Sequence, residues 1–546
     1  MEALTRSLQP NKHLYTIHLV QCCANPINVV SLARGFCFIS ENNTSLTPFL
    51  PSHLIPLVAY SLVYATLSTP IYSGKMEPPG YYADGGGGRN RLSQNATISR
   101  LPIETLGIIF ELLQDTTFPP FEDRVKTEIT ISHVSRHWRD VAIHSPLLWT
   151  YIDVSPYQEL DAIAAYVQRS EMCALTVHYG HPEEEGIDAN EGVLNAYFDL
   201  VIPHVHRWKR VSLAAPSAVI EFIGLRFDLL AAPLLRQLSR VDLGGVFNYK
   251  AVHPDQCLPT VFLCGSPILS SIHMRLHDRD LPFCCPSFGT VKNLSLHFSH
   301  SIERFQNYKL VRQMLASSPL LENLYFQVDK DDYNIDLWFS DHLNPVKMPH
   351  LHSICIRSTS FNRGIAVLWL LLVIKAPQLH SLTLQSFNMC EAIDLQFLFD
   401  GPQTISGIPK FPLLRSLAFI DCTIDDLCYR RFSQYFSTIS CLSVVYSYDD
   451  PGSQLLGDMA RYPSGYEQWL NLDTISVDIR VLGELGDLLC QIMSNVNAVG
   501  RPLHKLRLNH DAPLAMERLE WLRKHVEVEP FLMSDENSYS LNYLTS

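Results

Sequence analysis

A phrase opening on proline returns along the C-terminal part of the chain and limits what the chain can fold into. It reads Pro, one or two apolar residues, two polar residues, then apolar residues at alternate positions. The copies are APLLRQLSRVDL, SPILSSIHM, SPLLENLYFQV, MPHLHSICI, APQLHSLTL, FPLLRSLAF and RPLHKLRLN, with prolines 233, 267, 319, 349, 377, 412 and 502. Intervals from Pro267 onward are 52, 30, 28, 35 and 90 residues. A degenerate copy at Pro286, CPSFGTVKNLSLHF, splits the 52, and TISCLSVVYS and WLNLDTISVDI divide the 90. Each copy ends in period-two alternation, as at Leu382 and Leu384, which puts alternate side chains on opposite faces of a short strand. Helical patterns lie between copies: LVRQMLASS, IAVLWLLLVIKA and LGDLLCQIMSNV. One strand plus one helix cannot bury its own apolar face, so successive units must stack with their strands parallel. The spacing therefore predicts an α/β solenoid over residues 201–525, an irregular array of parallel strands and helices.

Such an array offers a long surface where strand residues alternate between core and solvent, suited to gripping an extended protein. Glu322, His352, His380, Thr383, Arg415 and Arg507 are expected at solvent-facing strand positions and are the candidate target contacts. The bulk chemistry agrees with a protein partner. Net charge is −13, which argues against a nucleic acid or an anionic membrane as ligand. Fourteen cysteines in 546 residues are too dilute for a disulfide scaffold, which points to a reducing, intracellular compartment. No G-x-S-x-G, H-E-x-x-H or phosphate-loop sequence occurs, so no catalytic residue is assigned. The nearest approach to a metal cluster is His273, His277, Cys284 and Cys285, whose spacing suits zinc poorly. No metal and no cofactor are expected.

Residues 1–97 read as a weakly ordered leader. The apolar run LVAYSLVYATLST lies between Pro56 and Pro70, a stretch of 13 residues. A bilayer needs roughly 20. Met76 opens a flexible stretch leading to the first convincing helix and is a candidate for the true start. Gly85–Gly88 lacks the Lys-Ser/Thr of a phosphate loop and reads as linker.

Residues 98–152 carry a different pattern. Leu106, Ile109, Phe110 and Leu113 recur at i, i+3, i+4 and i+7, one face of a helix, with Pro102 placed at its first position. A second helix is expected from Glu128 to His144, with Ile131, Val134, Trp138, Val141 and Ala142 on one stripe. Ser145-Pro146 should end it and cap a short third helix, LLWTY, before a strand at YIDVS.

LPIETLGIIFELL followed by HVSRHWRDVAIHSPLLW resembles the F-box motif. The family's Leu-Pro-x-Glu, Ile-Phe-x-x-Leu, Val-Cys-x-x-Trp and Leu-Trp elements fall on Leu101, Pro102, Glu104, Ile109, Phe110, Leu113, Val134, Trp138, Leu148 and Trp149. Ser135 stands where the family often has Cys, and the connection TTFPPFEDRVKTEIT is longer than in compact members. The flow into the following strands also resembles fungal F-box proteins, and the array resembles degenerate leucine-rich repeats without their usual Asn position.

The resemblance implies a small three-helix F-box module at 98–152, a connecting segment at 153–200, a leucine-rich-repeat-like substrate-binding domain at 201–525, and a tail at 526–546. It implies a non-catalytic receptor of a Skp–cullin–F-box ubiquitin ligase, with a Skp-type adaptor, a cullin scaffold and a protein target as partners. Adaptor binding would fall to Leu101, Pro102, Ile103, Leu106, Ile109, Phe110, Leu113, Val134, Trp138, Leu148 and Trp149. Trp138 would be the largest internal anchor, with Leu101, Pro102, Ile103 and Leu106 nearer the adaptor. The alternatives are an interaction scaffold without ubiquitin transfer and a membrane-tethered protein anchored by residues 48–72.

Overall fold

The structure is a computed structural model. It describes residues 101–116, 126–155, 158–180, 191–242, 261–276, 286–299, 305–329, 345–358, 370–371, 373–389, 411–424, 426–446, 453–461, 469, 471–479, 485–509 and 514–531. The leader at 1–97, Met76, the apolar run at 48–72, and His277, Cys284 and Cys285 lie outside them. The chain divides into two compact units, Met1–Tyr151 with Ala165–Cys173, and Ile152–Ala164 with Ala174–Thr545.

In the first unit, α1 (Ile103–Thr116), α2 (Thr127–Val134) and α3 (Arg136–Ile143) are followed by a 3-10 turn at Pro146–Trp149. Leu106, Phe110 and Leu113 of α1 pack with Ile131, Trp138, Val141, Ala142, Leu148 and Trp149 into one buried cluster. The Phe110 and Trp138 rings meet at 5.1 Å. Trp149 donates its indole N–H to the Ala142 carbonyl at 2.8 Å, so its polar edge is satisfied inside the core. Arg169 sits 4.4 Å from the Trp149 ring centre, and Tyr166 meets the same ring edge-on at 4.9 Å.

The expected helix from Glu128 to His144 is in fact two helices. Ser135 is extended (φ −158°, ψ 167°), and its hydroxyl accepts the Trp138 N–H at 3.1 Å, capping α3. A serine offers the backbone this alternative to continuing a helix. Pro102 lies one residue before α1, and its carbonyl accepts the Leu106 N–H at 3.0 Å. Ser145 makes no cap; its hydroxyl donates back to the Val141 carbonyl at 2.8 Å.

The second unit holds a fourteen-stranded parallel sheet whose strands follow chain order. They are β1 (Tyr151–Asp153), β2 (Leu175–Gly180), β3 (Trp208–Ala215), β4 (Gln237–Asp242), β5 (Ser271–Leu276), β6 (Asn293–Phe298) and β7 (Asn323–Val328). The remainder are β8 (Ser353–Ser358), β9 (Ser381–Gln385), β10 (Ser416–Ile420), β11 (Cys441–Tyr446), β12 (Thr474–Ile479), β13 (Lys505–Leu508) and β14 (Glu527–Pro530). Eight helices accompany them among the described residues: α4 (Leu160–Arg169), α5 (Glu191–Val201), α6 (Ser217–Phe227), α7 (Phe305–Ala316), α8 (Asp426–Tyr435), α9 (Ser453–Arg461), α10 (Leu485–Ala498) and α11 (Met516–His525). The architecture is of α/β type.

Register explains the repeated phrase. Ile354, Leu382, Leu417, Leu442, Ile475 and Leu506 pair in one unbroken row, and all are buried. Two residues on, Ile356, Leu384, Phe419, Val444, Val477 and Leu508 form a second buried row. Each such side chain contributes about 1.5–3 kcal/mol by leaving water. Helix faces complete this core, as do Leu485, Leu489, Ile492, Met493 and Val496 of α10.

The sheet passes both bounds that the phrase suggested. β1 and β2 precede residue 201, and β14 lies beyond 525. β1 is the strand expected at YIDVS after Pro146, whereas no proline precedes β2 and β14 at the spacing of the phrase, so the repeat hid those two. The expected helix IAVLWLLLVIKA also ends early: Leu370, Leu371 and Val373 are helical, whereas Ile374–Lys375 pairs as a short parallel strand with Val346–Lys347. The first pair, Ile374 with Val346, is β-branched on both strands, a preference for extended backbone.

Leu382→Ala removes a side chain buried between Ile354 and Leu417 and should cost about 2–5 kcal/mol. Ser381→Ala, one residue away on the opposite face, should stay within about 0.5 kcal/mol. Urea unfolding followed by circular dichroism separates them, and equal losses would contradict the assigned register.

Candidate protein-binding surfaces

On the helical unit, the expected adaptor residues divide by burial. Leu106, Phe110, Leu113, Trp138, Leu148 and Trp149 form the core, while Leu101, Ile109 and Val134 pack partly buried against it. Leu106 was expected near the adaptor; it lies one turn before Phe110 and two before Leu113 on the inward stripe and is buried in the unit's core. Pro102 and Ile103 face solvent, with Ile103 59% exposed. Three more apolar side chains, outside the expected set except by type, join them: Ile108 at 58%, Ile129 at 38% and Leu147 at 47%. A side chain placed on Gly107 would touch the Ser145 hydroxyl at 3.8 Å. Ile103, one turn before Gly107 on the same helix face, and Leu147, two residues after Ser145, therefore flank one junction.

In the second unit, the core rows alternate with rows on the opposite sheet face. Cys355, Thr383, Ala418, Ser443, Ser476 and Arg507 form one of these rows by register. Thr383 was expected to face solvent, yet it is 5% exposed. A short side chain in the middle of a parallel sheet is walled in by neighbours on strands only about 4.8 Å away. Arg507, nearer the sheet's end, is half-exposed and donates to Glu529 at 3.1 Å.

This face also carries a polar network over β5 to β8. Asp329 accepts from His297 at 2.6 Å and from the Gln327 amide at 2.7 Å. Gln327 in turn accepts the Tyr325 hydroxyl at 2.7 Å. Burial pushes the Tyr325 phenol well above its ordinary range, so it stays a neutral donor. His273 lies 2.8 Å from the Ser295 hydroxyl, and burial, then the charges of His297 and Arg275, push its pKa down to about 4. Among the described residues no group of three or more His, Cys, Asp or Glu side chains converges as a metal site.

The other four expected contacts lie together, one residue before their strands. Glu322, His352, His380 and Arg415 belong to a row that also holds Lys209, Arg236, Ser270 and Lys292 on one side and Ser440, Asp473, His504 and Glu527 on the other. Each backbone N–H in this row after Lys209 donates to the preceding row member's carbonyl, at 2.8–3.1 Å. Lys209, Arg236 and Lys292 were missed. Aligning the copies on proline finds six positions of the row directly, because Arg236, Ser270, Glu322, His352, His380 and Arg415 all stand three residues after it. Lys209 precedes the first copy and carries no such signal. At the far end, the His504 imidazole meets the Asp473 carboxylate and holds its pKa below the usual carboxylate range.

Among the described residues, no helix is long and apolar enough to cross a membrane.

The lowered His273 pKa has a definite sign. The folded state resists protonation, so the unfolded chain takes up that proton first as pH falls below about 6.5. The contribution is complete above that pH and is lost on acidification towards about 4. His273→Asn should therefore flatten the fall in stability between pH 6.5 and 4.5, by up to about 1.4 kcal/mol per pH unit. Parallel urea midpoints for the two proteins across this window would contradict the burial of His273.

No protein-family model matches the chain, and no curated protein matches it.

Proposed function

We propose that the chain is the substrate-recognition subunit of a Skp–cullin–F-box ubiquitin ligase. The helical unit docks the Skp-type adaptor, and the sheet unit, read as a degenerate leucine-rich-repeat-like solenoid, binds the protein to be ubiquitinated. One observation carries this reading. The helical unit has a closed core in which Trp149 is hydrogen-bonded, yet Pro102, Ile103, Ile108, Ile129 and Leu147 remain exposed. A unit this small gains nothing from exposed isoleucines unless another protein covers them. Strands that enter one parallel sheet in chain order support the solenoid reading.

In this role the chain breaks and forms no bond. It raises the effective concentration of target lysines beside a ubiquitin-conjugating enzyme, which is catalysis by proximity. The compartment is intracellular, where the ligase and its target meet.

Ile103→Asp leaves the core untouched and puts a charge on the proposed adaptor face. It should lower co-precipitation of a Skp-type adaptor by about tenfold or more, since burying one isoleucine is worth about 1.5–3 kcal/mol. Adaptor recovery unchanged from wild type contradicts the proposal. Recovery of adaptor without cullin would instead favour a scaffold that transfers no ubiquitin.

A further inference from the structure

The row at the strand entries differs in charge from the molecule that carries it. The chain has a net charge of −13, yet from β3 to β10 the row presents Lys209, Arg236, Lys292 and Arg415, with Glu322 as its one acid. Lys209, Arg236 and Arg415 are exposed and make no ion pair among the described residues. Only Lys292 is paired, with Glu322 at 2.7 Å, and both are open enough to water for that pair to be weak. His352 and His380 sit side by side with ring centres 5.6 Å apart, so the row keeps strand spacing out to its side chains. Two residues before the row, Leu234, Ile268 and Leu320 are 44%, 41% and 42% exposed. The edge is thus basic and apolar together.

We propose that this strand-entry edge docks an extended, carboxylate-rich segment of a protein partner. The four cations meet its carboxylates, His352 and His380 add hydrogen-bond donors, and Leu234, Ile268 and Leu320 take apolar side chains set among the acids. Lys209 to Arg415 spans seven strand steps, roughly 34 Å at about 4.8 Å each. An extended peptide of about ten residues covers that length. Backbone bonding along the whole row holds these side chains in line before any partner arrives, which lowers the ordering cost of binding. A nucleic acid fits less well: Glu322 interrupts the cations, and Asp473 and Glu527 close the row with acids. The inference rests on the receptor reading only for the partner's role as ligase target.

The test uses the full chain and a fluorescein-labelled peptide of about a dozen Glu and Asp residues with leucine at every fourth place. Fluorescence anisotropy should report binding that weakens with added salt. The triple variant Lys209→Glu, Arg236→Glu, Arg415→Glu should bind at least tenfold more weakly. Glu322→Lys should bind several-fold more tightly, a gain that misfolding cannot produce. Failure of wild type to bind, equal binding by the triple variant, or displacement of the peptide by duplex DNA at lower charge concentration would each overturn the proposal. Adaptor pull-down from the same samples separates the two readings. Row-dependent peptide binding without adaptor removes the ligase role and leaves the docking edge standing; adaptor binding without peptide binding does the reverse.

Discussion

The middle of the sheet unit hangs on parallel pairing that begins one residue before the strand. The Glu322 carbonyl accepts both the His352 and the Ser353 N–H groups, the His352 carbonyl both His380 and Ser381, and the His380 carbonyl both Arg415 and Ser416. Carbonyl oxygens have two lone pairs, so this doubled bonding satisfies both amides at each strand entry. It also fixes register before the first strand residue. A slip of one residue would move every leucine in the row from Ile354 to Leu506 onto the opposite face. The proline phrase is the covalent record of that constraint. It places a residue without an N–H in the turn, then leaves three positions to reach the ladder.

Fixed register has a chemical consequence. Side chains that are distant in sequence become neighbours at strand spacing, and a row inherits one environment along its length. Thr383 and Ser476 lie in the row that burial claims, whereas Arg236, His380 and Arg415 lie in the row that solvent keeps. The polar network on the shielded face runs along β7 from Tyr325 through Gln327 to Asp329 and crosses to the neighbouring strand at His297, so these buried polar atoms find partners both within a strand and across it. The helical unit solves a smaller problem differently. It has too few residues for repetition, so two tryptophans fill its core, one against Phe110 and one hydrogen-bonded to Ala142.

The sequence was most legible where one period dominates. Alternating leucines gave strand direction and face, and the stripe Leu106, Phe110, Leu113 gave the inward side of α1. It was least legible where a single residue decides. Ser135 splits a segment whose apolar stripe runs unbroken through it, because capping competes with helix continuation without changing hydrophobic pattern. Thr383 and Arg507 share one row yet differ in exposure, since exposure depends on what the neighbouring strands carry. β2 and β14 lack the preceding proline and so lay outside the visible repeat. Lys209 shows the same limit at a candidate contact, because only the backbone bond from Arg236 assigns it to the row.

The central claim is that the chain is a connector whose helical unit is covered by an adaptor while its sheet is left for another protein. Hydrogen–deuterium exchange on the full chain, with and without a purified Skp-type adaptor, tests it most directly. The account predicts slower exchange across 101–113 and 126–149 on adding adaptor, with amides of β3 to β13 unchanged. Protection confined to the strands, or none anywhere at saturating adaptor, would contradict it.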